Sequence, residues 1–391
     1  MSRLLQSLFG RLPIGWLQLS HSKTRFAAAI AGVAFATLLV FMQLGILGAL
    51  NSSTIAPYGF FEADIMVSSE DANTLTDGSN VARSRLFQSL GVAGVASGTE
   101  LYIGNLEFQL AGGSTATLQT FGLTNQGAAF VTPDIAAQFD LLIPENTALI
   151  DTATRGVSKG AFDSLRAGNP FPFEIKGQTL TAVGTLEMGG GFSADGTLFV
   201  SDQTFLRFFP NRSSGAPNHI LLNVSEGAAV EDVVASLRKV LPADAVKVQS
   251  LEAAASADLA YQTTERPTGI IFGFGVLIGI IVGIVIVYQV LSTDVADHLS
   301  EYATFKAMGY GQPFFLGIVF EEALVLAIFG FVPGLAVSVL LYMGMSAATG
   351  LPVEMDGARI ISVFVGTVVA CSLSGAIATR RLAGADPADL F

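Results

Sequence analysis

The sequence predicts an α-helical membrane protein with four spanning helices in a one-plus-three order, and an α+β domain between the first span and the rest. Three observations carry this. Apolar residues make up 51% of the chain and charged residues 13%, against about a quarter charged in an ordinary soluble domain. Charge is missing altogether from residues 26–50, 268–293, 323–353 and 360–379, and each block reaches the roughly 20 apolar residues that cross a bilayer. Residues 51–267, by contrast, hold 23 acidic and 12 basic side chains, nearly all of the net charge of −12, in a segment long enough to fold as its own domain.

Orientation follows from the basic residues. Arg3, Arg11, Lys23 and Arg25 precede the first block without an acidic companion, and Arg380 and Arg381 follow the last. Lys and Arg beside span ends favour the cytoplasm, and four spans return the chain to its starting side. Both termini are therefore expected in the cytoplasm, with residues 51–267 in the periplasm and the spans in a bacterial inner membrane. The first block exceeds the apolar core of about 7–15 residues in a cleaved signal peptide, so it reads as an anchor.

The expected organisation is a cytoplasmic segment at 1–25, spans at 26–50, 268–292, 313–345 and 360–379, a cytoplasmic loop at 293–312, a short periplasmic loop at 346–359 and a tail at 380–391. Within the large domain, residues 60–68 and 92–103 read as strands flanking a helix at 81–90. Residues 219–224 and 246–249 read as strands flanking a helix at 228–241, and 253–261 as a helix leading to the second span. Two strand–helix–strand units, at about 51–103 and 216–262, predict a split ferredoxin-like subdomain. The interval 104–215, rich in Gly, Thr and Phe, predicts a β-rich insert, a small barrel or roll.

Several chemistries are excluded or weakly supported. The acidic balance offers no basic nucleic-acid footprint. A lone cysteine, Cys371, permits no disulfide within the chain, and His21, His219 and His298 are scattered. The phosphate-cradling G-x-x-x-x-G-K-[ST] loop is missing, so no cofactor is expected on this chain. Ser158 within GVSKG fits G-x-S-x-G, but a nucleophile elbow needs a strand immediately before it, and residues 151–157 intervene. The triple glycine at 189–191 suits an anion-binding nest, though without nearby basic residues it reads first as a turn.

Small residues mark the spans. Gly275, Gly279 and Gly283 form a ribbon on the second; Ala28, Gly32 and Ala36 on the first, and Ser362, Gly366, Ala370 and Ser374 on the last, repeat the spacing. Such ribbons serve either packing within one chain or a dimer. Glu321 and Glu322 interrupt the start of the third span. Carboxylates in lipid are costly and functional by default, but residues 323–342 alone suffice to span, which would leave the pair at the cytoplasmic membrane edge. Pro333–Gly334 predicts a kink.

The loop at 294–309 (DVADHLSEYATFKAMG) is the most informative stretch. Val295, Leu299, Tyr302 and Phe305 recur at helical spacing. Ser292, Thr293 and Asp294 offer N-caps, and Gly309 followed by Tyr310 fits a Schellman end with Tyr310 packing on Phe305. The expectation is a short helix along the membrane presenting Asp297, His298, Leu299, Glu301, Tyr302, Phe305, Lys306, Met308 and Gly309. Lipid-surface helices are rich in Lys and Arg; this one has three acids and a single Lys, which favours a protein partner.

HLSEYATFKAMGY followed by FEEALVLAIFGFVPG resembles the loop and third span of MacB-type ABC transporter membrane subunits. Glu322–Ala323 matches that family's Glu–Ala pair, and Gly330 and Gly334 its following glycines. DHLSEYATFKAMGY, RLPIGWLQLSHSKTRF and ADPADLF resemble the DevC branch more closely. The resemblance covers the whole chain, without the fused ATPase of MacB itself. It implies a homodimer whose loop is a coupling helix for a separate LolD/DevA-like ATPase, which would bind the ATP and Mg. It further implies a periplasmic membrane-fusion adaptor and a TolC-like outer-membrane channel, with ATP-driven motion transmitted to the periplasmic domains. Glycolipid is the substrate class associated with that branch. An FtsX-like or sensory regulator of a periplasmic partner is the alternative.

Overall fold

The computed structural model describes residues 14–109, 115–175, 177–189 and 191–378. The chain forms two compact units: a helical unit from the residues up to Gly48, Ile271–Gly344 and Val353 onward, and an α/β unit from Ala49–Ile270 with Met345–Pro352. The basic residues Arg3, Arg11, Arg380 and Arg381 lie outside the described residues.

In chain order the helices are α1 (Ile14–His21), α2 (Lys23–Ile55), α3 (Ser84–Leu90), α4 (Lys159–Arg166), α5 (Asp202–Phe208), α6 (Val230–Val240), α7 (Leu251–Thr264), α8 (Pro267–Asp297), α9 (Leu299–Ala307), α10 (Gln312–Thr349) and α11 (Gly357–Ala378), beside a four-residue turn of helix at Pro133–Ala136. The strands are β1 (Ile65–Ser69), β2 (Val95–Gln109), β3 (Thr115–Leu123), β4 (Thr147–Asp151), β5 (Phe171–Ile175), β6 (Gln178–Leu186), β7 (Gly196–Ser201), β8 (His219–Val224) and β9 (Val246–Ser250).

Among the described residues, four helices, α2, α8, α10 and α11, are long and apolar enough to cross a membrane. Close approaches set their packing. A methyl group at Gly330 would sit 2.5 Å from Val33, and one at Gly334 would sit 2.8 Å from the Ala34 carbonyl oxygen, so α10 lies against α2 with almost no side chain between. Pro333 stands inside the uninterrupted α10. Tyr342 donates to the Phe41 carbonyl, and the Arg359 guanidinium lies 5.9 Å from its ring centre. An aromatic and a cation together suit the interfacial end of a span.

The α/β unit is one nine-stranded sheet in the order β5-β6-β4-β7-β3-β2-β8-β1-β9. Strands β9, β1, β8 and β2 run antiparallel to their neighbours, and with α3 and α6 they form the split ferredoxin-like part. Leu86 of α3 and Val233, Val234 and Leu237 of α6 cover Ile65, Val67, Ile220 and Leu222. The insert shares its first strand with that part: β2 continues past residue 104 and pairs along its far half with β3. The sheet then curls, bringing the Phe108 ring of β2 to 5.6 Å from Phe173 of β5. Gly104 leaves room for the Phe209 ring, which a side chain there would meet at 2.5 Å. A second apolar cluster joins the two parts, with the Phe121 and Phe199 rings 5.1 Å apart and Phe61 edge-on to Phe121 at 5.6 Å.

Two buried polar clusters fix the loop between β1 and α3. Asp258 of α7 accepts from the Tyr58 hydroxyl at 2.9 Å and from the Leu75 amide at 2.8 Å; burial raises its pKa. His219 Nε2 lies 2.8 Å from the Leu75 carbonyl oxygen and Nδ1 2.8 Å from Ser68 Oγ. A carbonyl only accepts, so Nε2 carries the proton and Ser68 donates to Nδ1.

Candidate functional site

The loop between the second and third spans is where sequence and structure meet most closely. Helix α8 does not stop near residue 292 but runs on through Asp297. The expected caps are thus inside a helix: the Thr293 hydroxyl donates to the Gln289 carbonyl at 2.8 Å, a back-bond that serves a helix interior. Val295, 1% exposed, continues the buried stripe of α8. The break falls at His298 (φ −99°, ψ 13°), and α9 follows.

The end of α9 has the expected form. Gly309 adopts φ 94°, a left-handed conformation natural to glycine. The Gly309 amide donates to the Lys306 carbonyl at 3.0 Å and the Tyr310 amide to the Phe305 carbonyl at 3.1 Å, the paired bonds of a Schellman motif. The Tyr310 ring meets Phe305 edge-on at 5.8 Å, and Phe314 stands 5.7 Å from Phe305.

The side chains divide into two sets. Tyr302 is 0% exposed, which corrects the expectation that it faces a partner: its ring packs edge-on to Phe315 at 5.7 Å and its hydroxyl donates to Gln18 Oε1 at 3.2 Å. Phe305 is half-buried against Tyr310 and Phe314, and Asp297 pairs with Arg25 at 2.5 Å. Glu301 is exposed but accepts from Gln18 Nε2 at 2.9 Å. His298 and Lys306 are half-buried, while Met308, Gly309 and Tyr310 form the open edge, Met308 being 61% exposed. The Leu299 side chain lies outside the described residues.

Sequence reasoning missed α1, the second wall of this site. Its first-turn amide at Trp16 donates to Glu321 Oε1 at 3.2 Å, so a carboxylate occupies the positive end of a helix. A methyl group at Gly15 would sit 2.9 Å from both Glu322 Cγ and the Ile318 carbonyl oxygen; only glycine lets α1 lie this close to α10. The Trp16 ring reaches Phe26 at 5.8 Å and Phe329 at 5.7 Å. Glu321 and Glu322, both 0% exposed, are thus covered by protein. The signal available was the adjacency of Gly15 and Trp16, a close-packing position beside a large anchor.

The glycine ribbon of α8 faces α2. Side chains at Gly275, Gly279 and Gly283 would meet Gln43 at 2.5 Å, Val40 at 3.8 Å and Ala36 at 3.4 Å. A cavity of about 280 Å³ opens beside it, lined by α2, α8 and the Ser362, Gly366 and Ala370 face of α11. In the α/β unit, Ser158 immediately precedes α4 and is separated from β4 by Thr152–Val157, unlike a nucleophile elbow.

No curated protein sequence matches this chain. Among solved structures, the periplasmic region of MacB from Actinobacillus actinomycetemcomitans is similar at 12% identity with a TM-score of 0.34, over 50% of this chain and 92% of that one. The extracellular domain of the noncanonic ABC-type transporter YknZ from Gram-positive bacteria is similar at 9% identity and TM-score 0.34, over 48% and 98%. A domain of a putative permease from Porphyromonas gingivalis gives 14% identity and TM-score 0.29, over 50% and 89%. Residues 273–387, which hold the last three spans and α9, match the FtsX-like permease C-terminal family.

Proposed function

We propose that this chain is the membrane subunit of an ABC-type exporter of the MacB kind, in its DevC-like branch. A separate LolD/DevA-like ATPase, carrying ATP and Mg, docks on the cytoplasmic edge formed by α9. The subunit works as a homodimer in the inner membrane, with cytoplasmic termini and a periplasmic α/β domain. A membrane-fusion adaptor and a TolC-like channel complete the route for a periplasmic or outer-leaflet substrate, a glycolipid being the first candidate. The observation that carries this reading is the FtsX-like permease match over residues 273–387, which encloses the helix bounded by His298 and Gly309.

Mechanically, α9 is seated by Tyr302 and closed by the Gly309 end, so a load on Met308 moves it as a body. Helix α8 is one uninterrupted rod from Pro267 to Asp297, joined to α9 through His298. The FtsX-like match also favours a second reading, in which the same ATPase coupling regulates a cell-wall hydrolase.

Co-purification of the ATPase with the wild-type chain and with a Met308→Asp, Lys306→Glu variant tests the proposal. Recovery is expected to fall at least tenfold in the variant; undiminished recovery with undiminished transport sinks the docking role. A periplasmic hydrolase recovered in place of an adaptor selects the regulatory reading.

A further inference from the structure

Within the helical unit, α1, α2 and the last turns of α8 enclose a cavity of about 310 Å³. Helices α2 and α8 come together where a methyl group at Gly32 would meet Ile286 at 3.0 Å. They are tied again two turns along α2, roughly 10 Å away, by the Arg25–Asp297 ion pair at 2.5 Å. Between these points α2 contributes Ala28 and Ala29 to the wall, side chains too short to fill the gap. Gln18 and Leu19 of α1 complete the enclosure.

The cavity is graded in polarity. Arg25 is the last charge before the uncharged block at 26–50, and charge resumes at Asp294 and Asp297 after the block at 268–293. Both boundaries fall within this one cavity: Arg25 and Asp297 line it, and so do Phe26, Ala29 and Val290. Charged side chains are costly in hydrocarbon and gather at span ends, so the cavity runs from headgroup depth into hydrocarbon depth. Gln289 stands on the same wall, exposed within the uncharged block. Its carbonyl accepts from Thr293, and among the described residues its side-chain amide meets no protein partner. Such an amide is costly in hydrocarbon without a hydrogen bond, and the ester and phosphate oxygens of a lipid are the acceptors that this depth supplies.

We propose that this cavity binds one phospholipid with a zwitterionic, primary-ammonium headgroup, of the phosphatidylethanolamine kind. Gln289 donates to its ester region, and an acyl chain leaves across Ala28 and Val290. Charge complementarity picks the headgroup. With histidine neutral, Arg25 and Asp297 are the charged residues lining the cavity, and they cancel. Their contact engages one guanidinium nitrogen and one carboxylate oxygen, leaving further donors on Arg25 for a phosphate and an acceptor on Asp297 for an ammonium. An anionic headgroup leaves its charge unmatched here, and a quaternary ammonium has no N–H to give the carboxylate. The proposal rests on these helices crossing a bilayer and not on the transport role proposed above.

The test uses the full-length wild-type chain in phosphatidylcholine nanodiscs. These are doped with phosphatidylethanolamine bearing a diazirine on its acyl chain near the ester. After photolysis, peptide mass spectrometry is expected to find adducts on residues 25–29 and 289–293 at least fivefold above those on Leu340 and Met343, which are exposed on α10. Unlabelled phosphatidylethanolamine should displace the cavity adducts, and phosphatidylglycerol at the same fraction should not. Even labelling of all three helices, or displacement by both lipids alike, marks ordinary bilayer contact and overturns the proposal. Arg25→Gln and Gln289→Leu should each lower the cavity adducts at least threefold while the α10 adducts stay constant, a sign that the helices remain folded. Undiminished cavity adducts in both variants overturn it as well.

Discussion

Gln18 donates from Nε2 to the Glu301 carboxylate at 2.9 Å and accepts from the Tyr302 hydroxyl at 3.2 Å. One amide therefore holds two successive residues of α9, and it does so from a helix that precedes the first span. Any force that shifts α9 also loads α1, and through the Trp16 amide and Glu321 it loads α10. Helix α9 rests on two supports that the loop sequence by itself does not reveal.

Replacing Gln18 with Ala removes one hydrogen bond from the buried Tyr302 hydroxyl. A hydrogen bond of this kind contributes about 0.5–1.5 kcal/mol. Thermal unfolding in detergent should show a lower midpoint for Gln18→Ala, with Tyr302→Phe in the same background restoring part of the loss. No difference between the single and double variants would show that the bond contributes nothing.

Tyr302 and Met308 should behave in opposite ways. Tyr302 is fully enclosed, so Tyr302→Ala should cost about 3–5 kcal/mol of stability, as for other large aromatic truncations. Met308→Ala on the open edge should stay within about 0.5 kcal/mol of wild type while weakening ATPase capture. Denaturation and capture assays on both variants separate a structural residue from a docking one; equal stability losses would refute the division.

Gly309→Val places a β-branched residue at φ 94°, at a cost of about 1–3 kcal/mol. The strain falls on the last turn of α9, so amide hydrogen exchange at Lys306, Ala307 and Met308 should accelerate while α8 keeps its protection. Unchanged exchange there would mean that the Schellman bonds do not hold this end.

His219 predicts an acid-sensitive domain. Burial pushes its pKa down from 6.5 to about 4. Between those values the unfolded chain takes up a proton that the folded chain refuses, so unfolding becomes easier as pH falls. The contribution is complete above about pH 6.5 and fades toward pH 4, amounting to roughly 3 kcal/mol. Denaturant titrations at pH 7 and pH 4.5 should show this loss in the wild-type chain and a smaller pH dependence in His219→Gln.

The parts legible in the sequence are those governed by local rules. Strand 219–224 is a short, mostly apolar run, the end of α9 is written in Gly309 and Tyr310, and the spans follow from missing charge. What escaped depends on distant partners. Helix α1 is short and holds its place through Glu321, Ile318 and Gln18's bonds to α9. Residues 292–294 have capping chemistry, yet burial of Val295 carries α8 past them. Tyr302 belongs to the apolar stripe that the spacing revealed, but a stripe does not say whether it faces its own chain or another. Nor does a β-rich interval announce that its first strand is already part of the neighbouring sheet.

That shared strand has a practical meaning. Because β2 serves both the ferredoxin-like part and the insert without a joint, the domain is a single beam and not a body with an appended lobe. Removing the insert would strip β3 from the far half of β2 and bare a long run of unpaired amides and carbonyls, an invitation to aggregation. Engineers wishing to graft this domain, or to trim it for crystallisation, should move the whole nine-stranded sheet or none of it.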